Sequence, residues 1–145
     1  DGARLWLAGV TTKRIYNLDP LDGHVLRYLS ALGTSAPRGL AWDGSKLWVS
    51  DAFIDIIYQM DPNSGAILRQ YAAPGPTTIG LAWDGARLWA CDLQNAMIYQ
   101  LYAGDGHVLR SFPSPGPRST GMAWDGSRLW VSDATLLRIF QIEVS

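Results

Sequence analysis

Three carboxylates stand at matching places in the chain: Asp51, Asp92 and Asp133 are spaced 41 residues apart, and Gly9 holds the corresponding place nearest the N-terminus. A ring of such groups at one mouth of a cyclic fold can bind a cation or a polar ligand, because hard oxygen donors converge there. An Asp at the end of a strand also accepts backbone N–H bonds and fixes the loop that follows. Repetition favours this structural role over the ligand role, since a residue present in successive copies usually serves the copy.

Other chemistry-bearing residues offer less. His24 and His107 follow turn glycines, and Ala66 takes that place in the middle copy. The only glutamate, Glu143, is far along the chain from both histidines, so no His/Glu cluster assembles a metal site, and no Ser sits in a strained glycine elbow. Gly75, Gly104 and Gly106 lack the Gly-Lys-Ser/Thr or Gly-x-Gly-x-x-Gly context of a phosphate cradle and read as turn glycines. Cys91 stands where other copies have Ser50 and Ser132, the place of a small strand residue rather than of a reactive thiol. Arg27, Arg69 and Arg110 recur on the last strand of each unit, where charge at a solvated edge blunts sheet-to-sheet aggregation. No catalytic residue, metal or cofactor is expected.

Composition bounds the partners. The 145 residues are 48% hydrophobic and 17% charged, with a formal net charge of −1, an ordinary balance for a packed domain. The basic face needed to grip nucleic acid is missing, and no apolar run reaches the ~18–20 residues of a membrane span. One cysteine excludes an intrachain disulfide framework. The chain lacks the zones of a signal peptide and begins part-way through a repeat, so a mature portion of something longer is expected, with an extracellular or periplasmic address favoured.

These residues are positioned by a repeat. Gly39-Leu40-Ala41-Trp42-Asp43-Gly44-Ser45-Lys46-Leu47-Trp48-Val49-Ser50-Asp51 recurs from Gly80 and from Gly121, and Asp1-Gly2-Ala3-Arg4-Leu5-Trp6 is the tail of another copy. Each unit reads as four short strands, A to D. Strand A is Gly39–Trp42, Asp43-Gly44 is a hairpin turn whose two central positions favour left-handed backbone, and strand B is Leu47–Ser50. Strand C is Ile56–Met60, matched by Ile15–Leu18, Met97–Leu101 and Arg138–Ile142. Turns rich in Pro, Asp and Gly follow, then strand D as Val25–Tyr28, Ile67–Tyr71 and Val108–Phe112. Strand C is largely apolar on both faces, so each sheet must be packed between neighbours. Four-stranded sheets repeated radially are a β-propeller.

The succession Gly-Leu-Ala-Trp-Asp-Gly, Leu-Trp-Val-Ser-Asp, Ile-Tyr, Asp-Pro, Gly, Leu-Arg resembles the NHL and YVTN group of β-propeller repeats, which includes streptogramin-lyase-like propellers. The resemblance implies a fold more than a function, because the group holds scaffolds, protein- and RNA-binding modules and a few enzymes. The expected chain is a single all-β domain over 1–145, a propeller or propeller segment of ~41-residue blades. Its parts are a partial blade at 1–37, blades at 38–78 and 79–119, and a partial blade at 120–145. An open arc is expected, completed by further copies of the chain or by the remainder of a larger propeller.

The units differ most in the connections between strands B and C. Phe53, Ile54, Leu93, Leu136 and Leu137 are apolar residues in these loops, beside the polar Gln94 and Asn95. Apolar loop residues point either to a partner or to packing on the adjacent blade. The function expected is a non-enzymatic interaction or structural module that self-associates or binds protein through the B–C and D–A loop face. The alternatives are a propeller holding a sugar or small polar ligand in a blade-to-blade cleft, and a lyase-like or cyclase-like enzyme.

Overall fold

The computed structural model describes residues 2–30, 33 and 35–144; Asp1, which stands in sequence where the later copies have Asp43, Asp84 and Asp125, lies outside the described residues, as does Ser145. Among the described residues, fourteen strands form four antiparallel sheets in chain order. The first sheet is β1 (Leu5–Gly9), β2 (Arg14–Leu18) and β3 (Val25–Ser30). The second is β4 (Pro37–Trp42), β5 (Leu47–Asp51), β6 (Ile56–Met60) and β7 (Ile67–Ala72). The third is β8 (Thr78–Trp83), β9 (Leu88–Asp92), β10 (Met97–Leu101) and β11 (Val108–Pro113). The fourth is β12 (Ser119–Trp124), β13 (Leu129–Asp133) and β14 (Arg138–Ile142). Two complete blades therefore stand between two three-stranded ones, and the all-β propeller architecture read from the repeat is the architecture present.

Packing runs from sheet to sheet through the inner strands, β1 against β4, β4 against β8 and β8 against β12. Period-two alternation gives every blade two apolar faces, and consecutive faces interlock. Ile15 and Leu29 of the first sheet meet Leu47, Val49, Tyr58 and Met60 of the second. Ala41, Trp48 and Ile57 then meet Leu81, Leu88, Ala90 and Leu101. Ala82, Trp89, Cys91 and Ile98 meet Leu129 and Val131. Of the seven Trp, Trp48 and Trp89 are fully buried, both on the two central blades.

The A–B turn differs from the sequence expectation. Asp43 N–H donates to Lys46 O at 3.1 Å, and only Gly44, at φ 101°, has left-handed backbone. The central pair is thus Gly44-Ser45, with the left-handed residue at its first position. The shift by one residue follows from the Asp43 carboxylate, which accepts N–H bonds from Ser45 (2.9 Å) and Lys46 (2.7 Å) and so cannot itself occupy the turn centre. Strands at the A position also begin two residues before the motif glycine. A bulge lies between Pro37 and Leu40, and its counterparts fall between Thr78 and Gly80 and between Ser119 and Gly121.

Candidate functional site

Asp51, Asp92 and Asp133 end β5, β9 and β13 and are buried. Asp51 Oδ2 accepts from the amides of Ser35 and Ala36 in the D–A loop, while Oδ1 accepts from Phe53 (2.9 Å) and Ile54 (3.3 Å) in the B–C loop. Asp92 accepts from Thr77 (2.6 Å) and Asn95 (2.7 Å). Asp133 accepts from Arg118 (2.6 Å), Thr135 (2.9 Å) and Leu136 (2.7 Å). Burial opposes ionisation of Asp133, but the Leu136, Arg118 and Thr135 amides outweigh it and hold the carboxyl below its ordinary pKa. Each carboxylate ties two loops of its blade together and turns its lone pairs onto backbone donors, so the B–C and D–A connections share one end of the molecule.

On that loop face Phe53 is 77% and Leu137 is 87% exposed, with Ile54 and Leu136 also exposed. Gln94 and Asn95 are exposed beside them. Leu93 alone of the apolar set packs inward, against the core between the third and fourth sheets. The last residue of each B–C loop, namely Lys13, Asp55, Ala96 and Leu137, has left-handed backbone with φ between 51° and 55°.

A second carboxylate set was read from sequence only as part of the blade. Asp43 Oδ2 accepts from Trp48 Nε1 (2.9 Å) and Gln59 Nε2 (3.0 Å), and Asp84 Oδ2 accepts from Trp89 (2.7 Å) and Gln100 (3.4 Å). Burial raises the Asp43 pKa, but these donors and the Ser45 and Lys46 amides more than offset it, leaving the pKa below its ordinary value. At Asp125 the Trp130 indole, then the Ser127 and Arg128 amides, hold the pKa well below the usual range. The glutamines went unremarked in the sequence, although their 41-residue recurrence marks them.

Arg69 is exposed on its edge strand as expected, while Arg27 and Arg110 are half-buried, and all three make hydrogen bonds beyond their own strand. Arg27 donates to Asn63 O (2.9 Å) and Pro62 O, and Arg69 donates to Ala103 O (2.9 Å) and Gly104 O (2.7 Å). Arg110 donates to Gln100 Oε1 (3.1 Å) and Val144 O (3.0 Å). Arg27 and Arg69 thus fasten one blade to the C–D turn of the next. His24 and His107 are exposed and pair with the neighbouring Asp22 and Asp105 at 2.6 and 2.7 Å. Cys91 is fully buried, and burial pushes its thiol up to about 12.

Two of the concavities lie between blades and bear on function. Beside the inner strands β4, β8 and β12 is a hollow lined by Leu40, Ala41 and Trp42 and by their counterparts from the next two blades. No titratable side chain is among its lining residues. A cleft of about 420 Å³ opens between the first and second sheets, lined by Arg4, Trp6, Asn17, Arg27, Trp42, Ser45, Pro62 and Asn63. Among the described residues no group of three or more His, Cys, Asp or Glu is placed to hold a metal ion, and no helix is long and apolar enough to cross a membrane.

Compared by sequence, the chain matches no protein-family model and no curated protein. Its fold is similar to solved β-propellers. Glutaminyl cyclase from Myxococcus xanthus aligns with a TM-score of 0.81 at 17% identity, over 97% of this chain and 68% of that one. The WD40 β-propeller domain of Doa1 aligns at 0.73 and 14% identity, over 99% of this chain and 47% of that one. Virginiamycin B lyase from Staphylococcus aureus aligns at 0.69 and 17% identity, over all of this chain and 53% of the lyase, so the chain spans about half the length of that propeller. At such identities the likeness establishes the β-propeller fold.

Proposed function

We propose that this chain is a non-enzymatic interaction or structural module of the NHL and YVTN repeat type, which completes its arc against further blades and binds protein through the B–C and D–A loop face. The observation that carries this reading is the state of the two end faces. Leu5 and Leu7 are each 52% exposed and Ile139 is 70% exposed, while their counterparts Leu47, Val49 and Ile98 are at most 1% exposed against a neighbouring blade. The end faces are therefore copies of faces that elsewhere interlock, and they are complementary head to tail. A second copy or the remainder of a larger propeller satisfies both.

Light scattering on the purified chain tests it. An assembly is expected at about micromolar concentration, where interfaces of standard size hold, and Leu7→Asp or Ile139→Asp should release monomers. A wild-type chain that stays monomeric overturns self-association. For the loop face, Phe53→Ser and Leu136→Ser are expected to reduce association with little change in the melting temperature, because both side chains are exposed.

A further inference from the structure

We propose that the loop end of the fourth blade binds an acidic peptide segment of a partner protein. Arg118 and Arg138 take its carboxylates, and Leu136 and Leu137 seat an apolar side chain beside them. This rests on the loop-face reading above and names the chemistry of its partner. The four residues form one cluster built on a buried carboxylate. Asp133 accepts from the Arg118 and Leu136 amides, Arg118 O accepts from Ala134 N–H at 2.9 Å, and Arg138 stands across the ladder from Asp133. All four side chains are exposed, Leu137 to 87%. Asp133 itself is 3% exposed, and among the described residues neither guanidinium forms an ion pair with it or with any other carboxylate. The ion pairs that do form, such as Lys46–Asp61 and Arg128–Glu143, lie at the opposite end of the blades.

The cluster is a departure from the repeat. Where the fourth blade has Arg118, the second and third have Ala36 and Thr77, and where it has Arg138 they have the half-buried Ile56 and Met97. Leu136 and Leu137 stand where the third blade has Asn95 and Ala96. Arg14 of the first blade corresponds to Arg138 but lies over the Tyr28 ring, 4.0 Å from its centroid. Both complete blades form without these arginines, so the fold does not require them. The backbone that carries Arg118 is nonetheless fixed. Pro115 and Pro117 restrict it, and Gly116 between them is pressed so close to Asp133 that a Cβ there would meet the carboxylate. A guanidinium held in this way loses less freedom on binding. Charge favours an acidic partner. Lys13, Arg14 and Arg38 are also exposed at this end, whereas Asp51, Asp92 and Asp133 are buried and Asp55 is half-buried. Planar guanidinium forks match carboxylate oxygens. A nucleic acid fits less well, because its affinity grows with the number of phosphates neutralised, and two arginines flanking two leucines offer few charges around an apolar centre.

The test is fluorescence anisotropy of a labelled Glu-Asp-Leu-Phe-Asp-Glu peptide titrated with the whole chain, beside its Gln-Asn-Leu-Phe-Asn-Gln counterpart and a single-stranded oligonucleotide. Saturable binding of the acidic peptide at about millimolar or lower concentration is expected, with the amide counterpart at least about tenfold weaker, a difference of ~1.4 kcal/mol. The double variant Arg118→Gln, Arg138→Gln and the single variant Leu137→Ser should each weaken binding about tenfold or more. The melting transition is retained in both, because the altered side chains are exposed. Arg87→Gln, on an exposed turn at the opposite end, should leave binding unchanged. No saturation by the acidic peptide, equal binding of the amide peptide, indifference to the fourth-blade variants, or an equal loss in Arg87→Gln overturns the proposal. Tighter binding of the oligonucleotide overturns it in favour of a nucleic acid. If the acidic peptide fails to bind while Phe53→Ser still reduces association, the acidic partner falls and the loop-face reading stands.

Discussion

At the scale of single residues, the recurring aspartates act as scaffolding through their lone pairs. Removing the Asp92 carboxylate leaves the Thr77 and Asn95 amides without their acceptor in a buried place. Each orphaned donor costs about 1–3 kcal/mol, so Asp92→Ala is expected to lower stability by about 2–4 kcal/mol in urea melts. A melt equal to wild type would contradict the role assigned to it. Cys91 is the opposite kind of residue, inert because it is dry. With its thiol pushed up to about 12 by burial, alkylation in the folded chain at about pH 8 is expected to be at least about a hundredfold slower than in denatured chain. Rapid labelling of the native protein would show that the strand opens locally.

At the scale of elements, the same glycine has a different meaning in each blade. A Cβ on Gly39 would meet Ile79 O at 2.5 Å and Leu81 N at 3.0 Å, backbone atoms of the next blade's inner strand that cannot rotate away. On Gly80 it would meet Cys91 Sγ at 2.6 Å and Met122 N at 3.3 Å. On Gly121, in the last blade, the sole close neighbour is Ser132 Oγ at 2.9 Å. Gly39→Ala is therefore expected to cost about 1–3 kcal/mol and Gly121→Ala less, measured by chemical denaturation. Equal costs would mean that inner-strand approach is not what the glycine serves. The motif glycine was legible in the sequence, but its purpose was not, because the clashing atoms lie about 40 residues away on another blade. The A–B turn was misplaced by one residue for a related reason: Asp-Gly favours a turn, yet the Asp43 side chain captures the amides that follow it and moves the centre to Gly44-Ser45.

At the scale of the molecule, carboxylates held by amide and indole donors couple stability to pH. The Ser64 and Asn63 amides bring Asp61 down to about 2, and Asp43, Asp125 and Asp133 are also lowered from an ordinary value of 3.8. A depressed folded-state pKa contributes stability that is complete above the unfolded value and is lost as pH falls through the folded one. The melting temperature is thus expected to hold near neutrality and to fall steeply between about pH 4 and about pH 2. Burial raises Cys91 and Tyr71, so the stability linked to them is present below their ordinary values of 9.0 and 10.0 and is lost as pH rises beyond them. A melting temperature that is flat down to about pH 2 would show that these hydrogen bonds do not differ between the folded and unfolded chain.

The sequence alone determined the blade: a 41-residue period, turn residues at fixed offsets and strands apolar on both faces leave four-stranded antiparallel sheets stacked radially as the consistent solution. These are local and periodic properties, carried by neighbouring residues. Tertiary structure decided what those residues touch. It turned Asp51, Asp92 and Asp133 onto loop amides, sent Arg27 and Arg69 across to the next blade, and packed Leu93 against the core while leaving Phe53 and Leu137 exposed. Each of these depends on the meeting of residues distant in the chain, which repetition multiplies but does not specify.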